Sequence, residues 1–203
     1  MIKRARTMAF APGMAAFPGG AQEDHDVDVV DTAIRETAEE CGVRVPRDGL
    51  HLWARWLTPD FEPRRYDTYF FMMEIPEGAT ARAANGEAER AFWIAAGSAV
   101  ADHHRGLLPM LPPTLVMLED LAAAGSVTAV LATPREVERV SPWRVELPGG
   151  RQVLRIDLDG RGGGRPRSAV DPEVVDPEVV DPEVVDPEVV DPEVVDPEVV
   201  DPA

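Results

Sequence analysis

The chain has 203 residues, 37 acidic against 20 basic, one cysteine and a formal net charge of −17. The charge is uneven: from residue 171 on there are seven Asp, six Glu and no Lys or Arg, so the tail carries −13 and the body −4. That body lacks the basic footprint a phosphate backbone demands, which argues against a nucleic-acid partner, and one cysteine, Cys41, rules out an internal disulfide and fits a reduced, cytoplasmic setting.

The start, MIKRARTMAFAPGMAAF, follows basic residues with an apolar run, but Pro12 and Gly13 break it, so it does not read as a signal peptide. No stretch is long enough to span a bilayer, so no membrane role is expected. No apolar run of strand length precedes the turn at Pro18, Gly19 and Gly20. MIKRAR reads as the tail end of a strand, and the natural chain is expected to begin roughly 20–40 residues earlier, enough for a strand and a turn.

Residues 17–43 read FPGGAQEDHDVDVVDTAIRETAEECGV. From Val29 to Cys41 they favour helix, with Asp28 or Asp26 as the cap and Gly42 as the left-handed residue that ends it. Glu36, Glu39 and Glu40 then share one face, their Cβ atoms about 5–6 Å apart, while Ile34, Thr37, Ala38 and Cys41 point inward. On a solvated surface such neighbours cost a few tenths of a kcal/mol each and carry no message. In a cleft with an effective dielectric near ~20, each pair at about 5 Å repels by roughly 3 kcal/mol, which a bound divalent cation offsets.

LHLWARW at 50–56 sets Leu50, Leu52, Ala54 and Trp56 against His51, Trp53 and Arg55, and YDTYFFMMEI at 66–75 is an aromatic, apolar run. Both are expected to be strands, with RAFWI at 90–94 a third. Trp53, Trp56, Phe70 and Phe71 read as core, with one of them available to stack on a base. PPTLVMLEDLAAAG at 112–125 places Leu115, Leu118, Leu121 and Ala122 on one helix face, between proline and Gly125. WRVELPGGRQVLRIDL predicts a hairpin with Trp143, Val145 and Leu147 on one arm and Leu154, Ile156 and Leu158 on the other.

Residues 160–170 are a Gly/Arg/Pro linker, and DPEVV then repeats six times over residues 171–200. A proline every fifth residue is incompatible with helix interior or central strand, so the tail is expected to stay extended and disordered. Stopping the chain near residue 160 is expected to leave stability and turnover unchanged. The four histidines show no ligand spacing and read as surface or packing residues.

These residues resemble the Nudix hydrolases, whose box is written G-x5-E-x7-R-E-U-x-E-E-x-G-U, usually after Pro-Gly. RETAEECGV, from Arg35 to Val43, matches every fixed position of its second half, with Thr37 where the family is usually apolar. Six residues after Gly20 stands Asp26 where the box has Glu, and eight residues rather than seven then precede Arg35. In the family that early acid partners the box arginine, so Asp26, Glu23 and Asp28 are candidates to hold Arg35. MAFAPGMAAFPGG, WLTPDFEPRRYDTYFF at 56–71, GEAERAFW at 86–93 and GLLPMLPPTLVML at 106–118 extend the likeness to the branch that includes peroxisomal acyl-coenzyme A diphosphatases and bacterial relatives.

The resemblance implies an α/β fold, a Nudix α/β/α sandwich with a mixed sheet over residues 1–159, short of its N-terminal strand. It implies hydrolysis of a diphosphate linkage in a small nucleoside-diphosphate-linked substrate, with coenzyme A or an acyl-coenzyme A foremost. ADP-ribose, dinucleotides and nucleotide sugars are the alternative substrates, and a non-catalytic scaffold binding a nucleotide or a partner is the alternative role. Mg²⁺ or Mn²⁺ would be held by Glu36, Glu39, Glu40 and a main-chain carbonyl at Gly20 or Gly19, with Glu39 and Glu40 also catalytic. Glu87 is the candidate general base, with Glu89 nearly as well placed. Arg64 and Arg65 are candidates for substrate phosphates, Arg35, Gly19 and Gly42 are structural, and a homodimer is compatible with the sequence.

Overall fold

The computed structural model describes residues 1–75, 77–132, 134 and 136–156. The expected linker and repeat tail, and Leu158 of the expected hairpin, lie outside them. In chain order the elements are β1 (Ile2–Arg4), β2 (Ala15–Ala16), α1 (Val29–Cys41), β3 (His51–Leu57), β4 (Asp67–Met72), β5 (Ala88–Ala91), α2 (Ala96–His104), α3 (Pro112–Ala124), α4 (Val127–Ala132), β6 (Arg139–Val140), β7 (Trp143–Glu146) and β8 (Gln152–Arg155).

The first sheet runs β2-β1-β5 and is antiparallel throughout. Three residues of MIKRAR, Ile2–Arg4, form the central strand of this sheet. Met1 closes the ladder, its amine donating to the Phe92 carbonyl and its own carbonyl accepting from the Phe92 N–H, each at 2.9 Å. The second sheet runs β4-β3-β6, with β3 antiparallel to β4 and parallel to β6. Arg55 forks onto Asp67 across the β3/β4 pair at 2.8 and 2.6 Å.

Side-chain alternation gives the first sheet two apolar faces. Ile2, Ala16 and Ala91 pack with Ile34 and Cys41 of α1 and with Val43 and Val45 beyond it. Ala15, one residue from Ala16 and so on the opposite face, packs with Ala99 of α2 and with Leu115 and Leu118 of α3. Helices thus cover the sheet on both sides, the expected α/β/α arrangement.

The helix over 112–125 is present, but its buried surface is wider than the single stripe expected. Thr114, Leu115, Val116, Met117 and Leu118 are all buried. Leu115 and Leu118 face the first sheet, whereas Val116 and Met117 pack on Ala54, Trp56 and Val140 of the second. Ala122 is exposed, whereas Leu121 beside it still packs against the core cluster of Leu115 and Leu118.

Strand β3 departs from strict alternation for a local reason. Its register to β4 shifts between Leu52 and Ala54, a bulge at Trp53. Leu52 is left exposed, while Trp53 packs partly into the core beside Ala54 and Trp56. The third expected strand is displaced toward the N-terminus, to Ala88–Ala91. The closing hairpin forms, but Val145 pairs with Val153 and Arg144 with Leu154, so the two apolar arms read from the sequence lie on opposite faces. Val153 is buried and Trp143 is 45% exposed.

Candidate active site

The box helix α1 starts and stops on side-chain chemistry. Asp28 caps it, accepting from the backbone N–H groups of Val30 and Asp31 at 2.9 and 3.1 Å. Asp28 also pairs with Arg47, as does Asp31, which leaves it unavailable to Arg35. At the other end Gly42 takes the left-handed conformation, φ +66°, and donates to the Ala38 carbonyl. The last carbonyls of the helix, those of Cys41 and Glu40, accept from Arg82 and Ala84. This contact brings the segment leading to Glu87 onto the end of α1.

Arg35 is held by Asp26. Its Nε and Nη2 donate to the two carboxylate oxygens at 3.1 and 2.9 Å, and Nη2 also reaches the Ala21 carbonyl at 3.0 Å. Glu23 is a longer second partner at 3.6 Å. The Asp26 carboxylate also accepts from the Glu23 N–H and the Thr32 hydroxyl. The Arg35 bonds, followed by the Glu23 N–H, hold it well below the usual carboxylate range although it is buried. The acid at the box's early position, one residue further than usual from Arg35, is thus an aspartate that reaches the arginine with both oxygens. Sequence reading left three candidates for this contact and gave no hint of Thr32.

The three box glutamates are not equivalent. Glu40 is 1% exposed and Glu36 8%, whereas Glu39 is exposed. The anionic helix face, read from the sequence as either solvated surface or cleft lining, is covered over Glu36 and Glu40. The Gly19 N–H donates to Glu40 Oε2 at 2.8 Å. A Cβ built on Gly20 would fall 2.2 Å from Glu36 Oε1, so only glycine lets the loop come this close. Burial pushes the Glu40 carboxyl up to about 7 despite the Gly19 bond, with Glu36 and Glu87 adding repulsion and Arg4 opposing it. Burial also raises Glu36, against the pull of Arg35. Arg35 Nη1 meets Glu36 Oε1 at 2.9 Å and Glu39 Oε2 at 3.0 Å.

Glu87, the candidate general base, and Glu89, nearly as well placed in the sequence, part company in the fold. The Glu87 backbone is fixed on both sides, its carbonyl accepting from Ala5 and its N–H donating to Asn85 Oδ1. Its charge acts on both Glu36 and Glu40. Glu89 turns instead to Lys3 at 3.6 Å and to the Arg6 N–H at 3.3 Å. Arg64 and Arg65 lie on the exposed β3–β4 loop, where Arg65 Nε donates to the Thr58 carbonyl at 3.1 Å. A cavity of about 460 Å³ beside β3, lined by Leu50, His51, Leu52, Val130, Leu131 and Pro134 among others, includes no residue of the box.

Among the described residues no three acidic, histidine or cysteine side chains converge as a ready metal cage. The donor chemistry nevertheless suits a hard divalent cation: oxygen ligands only, two of them desolvated carboxylates whose mutual repulsion a cation would relieve. Glu36 and Glu40 are the residues that would hold it, with Glu39 joining them once released from Arg35.

The arginine locked by the loop before the helix, and Glu36 and Glu40 beneath a glycine turn, all fall within the stretch that resembles the Nudix box. The family model for the NUDIX domain matches residues 1–112, and the chain belongs to that family. Among curated relatives, the chain is 39% identical over 64 residues to the mitochondrial coenzyme A diphosphatase NUDT8 of Homo sapiens, covering 32% of this chain and 26% of that protein. Its counterpart in Mus musculus is 40% identical over 52 residues, 26% of this chain and 24% of that protein. The chain thus spans about a quarter of the length of these relatives. The crystal structure of a Nudix hydrolase from Alicyclobacillus acidocaldarius superposes with a TM-score of 0.58 at 25% identity, covering 65% of this chain and 86% of that one. No helix among the described residues is long and apolar enough to cross a membrane.

Proposed function

We propose that the protein hydrolyses a diphosphate linkage in a small nucleoside-diphosphate-linked substrate with Mg²⁺ or Mn²⁺, and that the substrate is coenzyme A or an acyl-coenzyme A. The observation that carries this reading is the pair of buried carboxylates, Glu36 and Glu40, pressed under the Gly19–Gly20 backbone. Burying two adjacent acids is costly unless a cation belongs between them. The similarity to coenzyme A diphosphatases over the stretch they share supports the choice of substrate.

A bound divalent cation supplies neutralisation of the diphosphate and a more acidic water. The rest falls to the chain. Asp26 locks Arg35, and Arg35 holds Glu36 and Glu39 in register on the helix. Gly19 orients Glu40 through its N–H. In this reading Glu87, whose backbone is fixed by Ala5 and Asn85 and whose charge acts on the same carboxylates, takes the proton from the attacking water. Arg64 and Arg65 carry the positive charge offered to substrate phosphates. The buried thiol of Cys41 suits a reducing, cytoplasmic setting, and residues 1–159 form the working domain of this reading.

The deciding experiment is a panel of coenzyme A, acyl-coenzyme A, ADP-ribose, dinucleotides and nucleotide sugars with Mg²⁺ and Mn²⁺, read by product mass. Coenzyme A should give 3′,5′-ADP and 4′-phosphopantetheine. Faster turnover of another diphosphate replaces the substrate, and no turnover of any favours a binding scaffold. In the same assay Glu87→Gln should cost about 10²-fold or more in kcat, the scale of a general base, and Glu89→Gln should cost little.

A further inference from the structure

Strand β2 lies at the end of the first sheet, and its outer side is held by the segment that follows α2. Ala15 pairs with Lys3 of β1 on one side. On the other its N–H donates to the Pro109 carbonyl at 2.8 Å, in a parallel bridge to Met110. Four residues beyond Ala15, the Gly19 N–H reaches Glu40 Oε2 at 2.8 Å. The strand that carries the glycine turn onto the buried carboxylate is thus strapped in place by Pro109 and Met110.

One side chain fixes the strap. Gly106, with φ +74°, turns the chain back after α2, and the Leu107 and Leu108 N–H groups donate to the Asp102 carbonyl at 2.9 and 3.2 Å. Pro109 has no N–H to give. The Met110 N–H, in a residue only 5% exposed, donates to His103 Nδ1 at 3.2 Å. A buried N–H needs an acceptor, and Nδ1 accepts only in a neutral ring that carries its proton on Nε2. Burial, followed by the charge of His104, lowers His103 below its ordinary value and keeps it uncharged at neutral pH, against the Leu108 carbonyl and Glu119 of α3. The other titratable groups beside it are on α2 and its end: His104, with its ring 5.6 Å away, and the Asp102–Arg105 pair.

We propose that His103 is a positioning residue for the hydrolytic site: its Nδ1 fixes Met110, the adjoining Pro109 carbonyl fixes Ala15, and β2 sets the Gly19–Gly20 turn on Glu40. The consequence for turnover rests on the hydrolase reading above, whereas the hold on the turn does not. His103 lies outside the box, so its loss acts through the position of a carboxylate, on kcat rather than KM. Protonation does what removal does, because a filled Nδ1 no longer accepts from Met110.

The test compares the full chain with His103→Asn, whose Oδ1 keeps an acceptor in place of Nδ1 and does not titrate, and with His103→Leu, which has none. With saturating Mg²⁺ and the diphosphate turned over fastest in the panel above, His103→Leu should lower kcat about 10-fold at pH 8 with KM nearly constant, and His103→Asn should restore most of it. Between pH 8 and 5.5 the parent should lose roughly 10-fold relative to His103→Asn; Glu36 and Glu40 are common to both chains, so the ratio reports His103. Amide exchange of Ala15 and Gly19, followed by NMR and corrected for the intrinsic rate, should quicken about 10-fold in His103→Leu, the scale of one lost hydrogen bond. It should quicken in the parent as pH falls below 6.5, and stay slow in His103→Asn. Parent-like kcat and exchange in His103→Leu, an asparagine variant as impaired as the leucine one, or a flat parent-to-asparagine ratio overturns the proposal. Should His103→Leu fail to fold, the pH dependence of the parent against His103→Asn decides alone. If no diphosphate is turned over, the hydrolase reading falls and Gly19 exchange still decides whether His103 holds the turn. Turnover with exchange and kcat indifferent to His103 does the reverse.

Discussion

Glu40 and Ile2 are the most deeply buried large side chains among the described residues, and one of them is an acid. Its carboxyl, pushed up to about 7, gives the metal-free protein a distinctive pH dependence. The folded chain keeps a proton on Glu40 up to about pH 7, whereas the unfolded chain has lost it above about 4.5. A group raised in the folded state contributes its stability fully below the unfolded value and loses it as pH rises through the folded one. Glu36, raised in the same direction, adds to this slope. Asp26 moves the opposite way, and its stabilisation is lost only as pH falls below its ordinary value of 3.8. Without metal, the melting temperature should therefore rise as pH is lowered from 8 to 5, and Mg²⁺ should flatten the profile. Glu40→Gln should flatten it as well, melt no lower than the parent at pH 8, and lose activity by orders of magnitude. Near-normal turnover of that variant at saturating Mg²⁺ would mark Glu40 as a bystander.

At the scale of elements, two glycines bracket the box for different reasons, and alanine separates them. At Gly20 a methyl group would strike the Glu36 carboxylate, the far end of a side chain that Arg35 holds in place. Gly20→Ala should leave the circular dichroism spectrum intact and lower kcat/KM at least ~10-fold, since the carboxylate and not the backbone must yield. At Gly42 the penalty is conformational, about 1 kcal/mol for a left-handed alanine, so Gly42→Ala should lower the melting temperature by a few degrees with KM unchanged. The box helix, its left-handed end and its acids were legible because each follows from spacing within one helix. The cover over Glu36 and Glu40 was not, because it comes from a loop some twenty residues away in sequence. Likewise the bulge at Trp53 breaks the period of two that assigns faces to a strand. The hairpin's arms were assigned without the register that decides which residues meet.

For the whole molecule, Arg144 and Ile156 tie the C-terminal segment to the rest of the described residues. The Arg144 guanidinium sits 4.0 Å over the Phe61 ring on the β3–β4 loop, and Ile156 packs against the core shared by α3 and the second sheet. Hydrogen exchange should register the first tie: Phe61→Ala should speed exchange in β7, β8 and the β3–β4 loop and leave α1 and the first sheet unchanged. Acceleration throughout the molecule would show the hairpin to be part of the global folding unit. The position of α3 bears on a different process, the emergence of the chain from the ribosome. Every box residue and both principal strand ladders precede Pro112, yet the helix that fills the space between the two sheets begins there. While the polypeptide is growing, Ala15, Ala54 and Trp56 have no helix to lie against, and the nascent site stands on two separate, half-covered sheets. The order of synthesis thus leaves both sheets half-covered until a helix that contributes no box residue has been translated.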